Sequence, residues 1–383
     1  MTGSSVADAA VDVKAVARAR ADALGLPTSS REDWRYVRCE TLKEAAYDAP
    51  RAATAEELRR WVDSTQRAFV IVDGKFHSLG HGDWPAPWKP SLPSPEDDAA
   101  LAAALAAEDD VAACWAYADG TCRQVLRIIG SHAEPLHLVN VATGGTSGWG
   151  ITLEVAAGAT LDVVVRHIAL GAARSCPAIT IRAARGAKVR VSEIQATPWH
   201  HLLATATLRA EADATIEWTS AATGGACLRL VSRGVLAAPG AHLALAAVAQ
   251  VRGQDQAHHL TRVVHAAGNT TSDQLVKAIL HDRAQTSFDG VVRIDAGSDG
   301  ANAVQQNRNL LLSDTARADT RPQLDIKADD VKAAHGATVG QLDADELLYL
   351  RMRGIPLAEA RGLLTAGFVD EVLERLPHRE FLV

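Results

Sequence analysis

LEVAAGATLDV (153–163) is followed by IRAARGAKVRV (181–191), LRAEADATIEW (208–218) and GVLAAPGAHLAL (234–245). Each stretch has the same plan. Apolar and polar residues alternate, a small-residue turn interrupts, and the alternation resumes. Alternation of period two marks a strand with one buried face. The turns centre on Gly158, Gly186, Asp213 and Gly240, with weaker copies at Gly268 and Gly297. Successive spacings are 28, 27, 27, 28 and 29 residues. Gly and Asp suit such turns because they tolerate a positive φ. One unit cannot bury its own apolar face, so neighbouring units must stack to make the core. A parallel β-helix does this, each coil hydrogen-bonding to the next. A β-sandwich of hairpins is the alternative, but nothing in a sandwich requires a constant period through six turns. The repeat therefore predicts a mainly β protein with a parallel β-helix core, taken as right-handed, over residues 126–335. A helical region (1–125) precedes it and a C-terminal helical domain (336–383) follows.

Before the repeat, Val13, Ala17 and Leu24 fall at near-helical spacing in an Ala-rich run that begins near Val6 and ends at Gly25 and Pro27. Ser29 and Ser30 offer a cap for a short helix from Arg31. Thr54 with Glu57 makes a capping box ahead of Leu58, Trp61 and Val62. The segment from Phe69 to Phe76 reads as a hairpin turning at Asp73 and Gly74. Residues 85–95 hold five prolines and read as a linker. Ser94 and Pro95 then open an Ala/Leu helix. GGTSGWG (144–150) has no phosphate-binding lysine and reads as a turn.

The chain's 383 residues can bury a large core. The net charge is −7 and no Lys/Arg cluster forms a stripe, which argues against a nucleic-acid partner. No apolar run approaches the roughly 18–20 residues that cross a bilayer. The N-terminal segment lacks the apolar centre of a signal peptide. Five cysteines at irregular spacing make no disulfide framework, and a reducing cytoplasm suits them.

No phosphate loop, HExxH or CxxC motif occurs. Cys39, Cys114, Cys122, Cys176 and Cys227 cannot build a cluster site from local spacing. Cys122, Cys176 and Cys227 stand 54 and 51 residues apart, near two repeats each, as recurrent core positions would. His200 and His201, like His258 and His259, are adjacent on strands, so each pair should split between opposite faces and not chelate. His132 and His137 flank a turn at Pro135. All six are assigned to structure or surface. A β-helix enzyme acting on polysaccharide needs a groove of carboxylates and aromatics. Aromatics are 4% of this chain, and Trp34, Trp61, Trp84, Trp88 and Trp115 lie before the repeat.

One stretch carries features that local folding does not demand: QQNRNLLLSDTARADTRPQLDIKADDVKAAHGATVGQLDADELLYLRMRGIP (305–356). It opens with Gln305, Gln306, Asn307, Arg308 and Asn309, ahead of an apolar strand of Leu310, Leu311 and Leu312. Asp329 and Asp330 form an acidic loop, either a solvated turn or a source of hard oxygen donors for iron. His335 follows, a loop imidazole with little bulk around it and competent as an iron ligand. A helix begins after Asp343, which caps it with Glu346, and stops at Gly354 and Pro356. Leu347 and Leu350 share one of its faces. Phe368, Val369, Val372, Leu373 and Leu376 form an apolar stripe of helical period, read as packing at least in part on the chain's own body. The ends of a β-helix leave strand edges that invite association. The N-terminal helices are expected to protect one end, and the coils near 310–326 to offer the other to a second chain.

The order NRNLLLSD (307–314), DTRPQLDI (319–326), ADDVK (328–332), HGATVGQLD (335–343) and ELLYLRMRGI (346–355) resembles the C-terminal signature of the SufD group in the SufB/SufD family. These are scaffold subunits of the SUF iron–sulfur cluster assembly machinery. A looser likeness covers the whole chain, EDWRY (32–36) included. The resemblance implies a β-helix, no catalytic activity and a place in a complex. SufB would pair through β-helix edges, with Leu310, Leu311 and Leu312 at the contact. The SufC ATPase would dock on the C-terminal helices, with Leu347, Leu350, Arg351 and Arg353 as contacts. ATP binding would close two SufC copies and strain the SufB pairing. His335 would stand at the SufB interface, near a SufB cysteine. There it is the candidate ligand for iron or a nascent iron–sulfur cluster that this chain alone does not hold stably. Many relatives carry Cys-Ser before this histidine. Ala333 and Ala334 stand here instead, so the motif brings no thiolate of its own. The alternative within the family is a standalone homodimeric SufB-like scaffold, which the missing cysteines disfavour.

Overall fold

The computed structural model describes residues 11–62, 67–77 and 91–381. The chain starts with helix α1 (Val13–Leu24), short helices α2 (Glu40–Lys43) and α3 (Ala55–Arg59), and a hairpin of β1 (Ala68–Val72) and β2 (Lys75–His77). Helices α4 (Pro95–Ala106) and α5 (Val111–Ala118) lead into the strands. The strands are β3 (Gly120–Ile128), β4 (Leu136–Ala142), β5 (Gly145–Val155), β6 (Thr160–Ala169), β7 (Ala173–Ala183), β8 (Lys188–Gln195), β9 (Trp199–Ala210) and β10 (Thr215–Ala222). They continue as β11 (Gly225–Leu236), β12 (His242–Val251), β13 (Gln256–His265), β14 (Thr271–Leu280), β15 (Gln285–Ile294), β16 (Ala301–Leu311), β17 (Arg317–Ile326) and β18 (Val331–Gly340).

Odd-numbered strands from β3 to β17 form an eight-stranded sheet in sequence order. Even-numbered strands from β4 to β18 form the other, which β1 and β2 extend to ten. Every pairing in both is parallel except β1 with β2. Each lap of chain thus lays one strand on each sheet, and the next lap stacks on it. This is the parallel β-helix that the repeat predicts. The small-residue turns are its corners: the strands flanking each turn pair with neighbouring coils. The predicted positive φ is present at Gly158, Gly186, Asp213, Gly240 and Gly297. The fifth corner differs, because Asn269 takes φ 53° one residue later. Gly268 is needed there for space: a Cβ would lie 2.6 Å from the Asp299 carbonyl oxygen.

The inner faces of the two sheets meet in one aliphatic core that includes Leu138, Val163, Val189, Ile216 and Leu243 from one sheet and Leu126, Ile151, Ile181 and Leu208 from the other. Each such side chain stabilises the fold by roughly 1.5–3 kcal/mol on burial. The N-terminal helices cover a face of the β-helix, where the sequence reading had them protect an end. Val111, Cys114 and Trp115 of α5 pack with Val13 and Ala17 of α1 against Cys176, Ala178, Leu203 and Cys227. The end of the ten-stranded sheet is met by the Asp-Gly hairpin, since β1 pairs with β4. GGTSGWG is strand rather than turn from Gly145 onward. Its glycines let α5 approach: a Cβ on Gly148 would lie 2.5 Å from two α5 carbonyl oxygens.

The predicted capping box of Thr54 with Glu57 forms, and Ser94, expected to open a helix, does so through a second box with Asp97. Ser29 and Ser30 do not cap; a 3-10 turn, Glu32–Trp34, starts at Arg31 without a side-chain cap. The proline linker lies outside the described residues as far as residue 90. Beyond the last coil, Asp343 accepts from Asp345 N at 2.8 Å and Glu346 N at 3.1 Å to start α6 (Ala344–Met352). Gly354 at φ 85° ends that turn of chain, and Pro356 starts α7 (Leu357–Leu373). The α7 stripe does pack on the body: Val369, Val372 and Leu373 meet Ala221, Ala246, Val248 and Leu275 on the outer face of the ten-stranded sheet. The tail continues backwards over that face. Arg375 pairs with Asp273 at 2.6 Å, His378 with Asp162 at 3.2 Å, and the Phe381 ring lies 5.0 Å from His137.

Candidate functional site

The last coil leaves two outer strands, β17 in one sheet and β18 in the other. Among the described residues each is paired along one side. The other row of N–H and C=O groups points away from the stack. Burial falls away along β18. Val331 and Ala333 pack on Val292, Ile294, Ala301 and Ala303, while the residues from Ala334 to Gly340 are exposed. His335 lies on this strand, not in a loop, in register with Gln305. Alternation puts it on the same side as Val331 and Ala333, facing the interior of the coils. Beneath it the same column runs Gln305, Gln274, Leu245, Trp218 and Val191, all buried. His335 is open to solvent because no coil covers it.

Other donors lie elsewhere. Asp329 and Asp330 are exposed at the corner before β18. Five strand residues separate Asp330 from His335 by about 16 Å, too far to share an ion. Among the described residues no group of three or more His, Cys, Asp or Glu could hold a metal. All five cysteines are buried. Burial pushes Cys114, Cys176 and Cys227 up to about 12 and Cys39 and Cys122 up to about 11, which leaves little thiolate at neutral pH.

His258 and His259 behave as alternation predicts. His258 bonds Ser287 Oγ at 2.7 Å and Gln256 Oε1 at 2.9 Å. His259 lies on the opposite face, and burial lowers the two to about 3 and 4. His200 and His201 do not split. Their rings stack with centroids 4.6 Å apart, and the Tyr47 hydroxyl bonds His201 Nδ1 at 3.2 Å. The register with β11 runs on unchanged through this point, Gly225 opposite Trp199 and Cys227 opposite His201, and both rings gather at Tyr47, whose ring lies edge-on to each at 5.7 Å. His132 bonds the Ile129 carbonyl oxygen at 3.0 Å, whereas His137 packs on Phe381. The two do not form a joint site.

The family model described as SUF system FeS cluster assembly, SufBD core domain, matches residues 143–368, well over half the chain. The chain belongs to the SufBD family. It is 28% identical over 364 residues to the iron-sulfur cluster assembly protein SufD of Escherichia coli, across 92% of this chain and 86% of that protein. A SufBD family protein of Synechocystis is 45% identical over 120 residues, 31% of this chain and 26% of that one. SufD of Bacillus subtilis is 39% identical over 126 residues, 33% and 29% of the respective chains. The SufBD match takes in the coils from β5 onward, the rim and most of the helical hairpin beyond it.

In this SufBD chain the residues expected at partner contacts sit in different settings. Leu310 is buried in β16, which β18 covers, and Leu311 and Leu312 are half-buried. They fill the penultimate coil and do not form an open edge; β17 and β18 are the edges. Leu347 and Leu350 are half-buried, while Arg351 and Arg353 are exposed, Arg353 lying over the Tyr349 ring at 5.2 Å. The exposed large apolar side chains of the helical hairpin are Leu348, Tyr349, Met352, Leu357 and Leu363. Helical spacing could not show which side of the hairpin stays bare.

Sequence reasoning also missed the polar interior. Glu193 accepts from Ser220 Oγ at 2.6 Å and Trp218 Nε1 at 3.0 Å, and pairs with His167 Nε2 at 3.1 Å. Burial alone would raise its pKa, but these bonds hold it below the usual carboxylate range. Its signal was the register: Val189, Val191, Glu193 and Gln195 share one parity, and the first two face the core.

Proposed function

We propose that the chain is a non-catalytic scaffold subunit. It completes its last coil against a SufB-type partner, and His335 serves as a ligand for iron or an iron–sulfur cluster built at that joint. The observation carrying this is an exposed imidazole on an open rim strand while every thiol is sealed away. Iron–sulfur clusters are held mainly by thiolates. Among the described residues the rim offers one exposed imidazole and no accessible thiol, so the thiolate ligands come from across the joint. The relatives named as iron-sulfur cluster assembly proteins support the same reading. Leu348, Tyr349 and Met352 beside Arg351 and Arg353 have the composition of an interface centre, and a SufC-type ATPase fits there. Closure of two ATPase copies would then pull α6 and open the joint. The unpaired thiols suit a reducing cytoplasm.

His335→Ala in the reconstituted three-component complex is expected to cut cluster formation about tenfold or more, read from the cluster's visible absorbance. The complex itself should elute intact. Full-rate assembly by an intact variant complex would remove His335 from the chemistry. ATP hydrolysis by the purified single chain would remove the non-catalytic reading.

A further inference from the structure

The amide-rich run that opens the signature stretch is not explained by edge pairing, since β16 is an interior strand. Its inward residues are Gln305, Asn307 and Asn309, all buried. Two of them form a closed chain. Asn309 Nδ2 donates to Asn307 Oδ1 at 2.7 Å, and Asn307 Nδ2 donates to the Val276 carbonyl oxygen at 3.1 Å. Gln305 is different. Its Nε2 donates down the column to Gln274 Oε1 at 3.3 Å, but its Oε1 has no partner among the described residues. Of the three, it alone keeps a buried side-chain oxygen unmet. A buried acceptor left in that state costs about 1–3 kcal/mol.

The structure makes room for this amide. Across the interior stands Gly290, where a Cβ would lie 2.4 Å from Gln305 Nε2 and 2.5 Å from the Phe288 ring. The amide meets Gln274 below it and occupies, with the Phe288 ring, the space that the missing side chain of Gly290 leaves. Directly above it in register is His335, one strand spacing away, about 4.8 Å. A neutral imidazole carries one N–H and one bare nitrogen, and the acceptor it meets decides which is which. Metal-ligating histidines almost always donate their second nitrogen's proton to a fixed acceptor.

We infer that Gln305 is a positioning residue for His335: its buried oxygen, unmet in the structure, is the acceptor an imidazole N–H takes when the ring turns inward down the column, which presents the other ring nitrogen, unprotonated, to iron or a cluster at the rim. This rests on the reading of His335 given above. Gln274 anchors the amide from the coil below, so the rim ligand is oriented by a two-step ladder of glutamines.

The test uses the full chain, alone and in the reconstituted complex. In the isolated 15N-labelled protein above neutral pH, the ring-nitrogen shifts of His335 are expected to report one dominant neutral tautomer. Gln305→Met keeps the length of the side chain, removes the acceptor and is expected to return His335 to a mixture. Gln305→Glu retains an acceptor oxygen and is expected to restore the single tautomer. Gln305→Asn withdraws the amide by one methylene; should Gln305→Met not fold, it is expected to give the same mixture. In the complex, Gln305→Met is expected to slow cluster formation about tenfold or more, as loss of a ligand's outer hydrogen-bond partner does. An unchanged tautomer population in Gln305→Met, with His335→Ala still defective, would overturn the role of Gln305 and leave that of His335 standing. Full assembly by His335→Ala would overturn the ligand role itself, whatever the tautomer.

Discussion

Cys39, Cys114, Cys122, Cys176 and Cys227 are all closed off, and His335 is not. The contrast has a direct chemical consequence. Thiolate attacks an aromatic disulfide reagent and releases its coloured thiol, and burial of these cysteines suppresses both thiolate and access. None of the five is expected to react in the native chain, and all five in guanidinium chloride, counted by absorbance of the released thiol. Reaction of even one at the rate of a free thiol would mean that the chain can bring sulfur to a cluster. At this scale the sequence was partly readable. The two-repeat spacing of Cys122, Cys176 and Cys227 marked them as buried, which they are, but only Cys122 joins the interior of the coils; Cys176 and Cys227 lie under the N-terminal helices. His335 was mistaken for a loop residue because Ala334 and Gly336 are weak strand formers. Its strand is imposed by register with β16, a tertiary effect that overrides local preference. The stacked His200 and His201 defeated the alternation rule because both rings turn to Tyr47, a residue distant in sequence that alternation along the strand does not see.

Helix α7 has two halves with different fates. Its C-terminal half seats Val372, fully buried, among Ala221, Ala246, Val248 and Leu275. Lys277, also nearly buried, donates to the Phe368 carbonyl oxygen at 2.7 Å and pairs with Glu371 at 2.6 Å. The N-terminal half and α6 leave large apolar side chains bare. Val372→Asp places a carboxylate in an apolar seat, at a cost of several kcal/mol. It is expected to release α7 while the coils stay folded. Amide hydrogen exchange checks this: α7 should lose protection, and β12 and β14 should keep theirs. Equal loss in those strands would show that the helix helps hold the coils together. The stripe from Phe368 to Leu376 announced this contact by its period. The tail's return as far as His137 gave no such signal, because it is held by single contacts at Asp273, Ser192 and Asp162 without periodicity.

For the whole molecule, buried histidines set a pH limit. Burial lowers His137, His201 and His258 to about 3, and His259 and His265 to about 4. In the unfolded chain each titrates near 6.5. Between those values the unfolded chain binds more protons than the folded one. Stability is therefore complete above about pH 6.5 and falls as the pH drops towards 4. Each histidine contributes a slope of at most about 1.4 kcal/mol per pH unit. The denaturant midpoint is expected to drop steeply from pH 7 to pH 5. A flat profile would mean that these imidazoles are not held neutral. The architecture was legible at this scale because every corner imposes the same demand on the backbone at a fixed interval. The covering of one face by the N-terminal helices was not. It depends on small outward residues such as Gly148 and Ala178, which in the sequence look like any other strand positions.

Because each lap repeats the register of the lap before, the height of this molecule comes in storeys of about 4.8 Å. Removing one corner-to-corner unit of 27 to 29 residues would lower the stack by a single storey and present the same two strand ends at the top. Removing an odd handful of residues within a strand would instead turn that strand's side chains inside out. Length variation that preserves function should therefore arrive in whole storeys, and the reach from helical flank to rim is fixed by counting them.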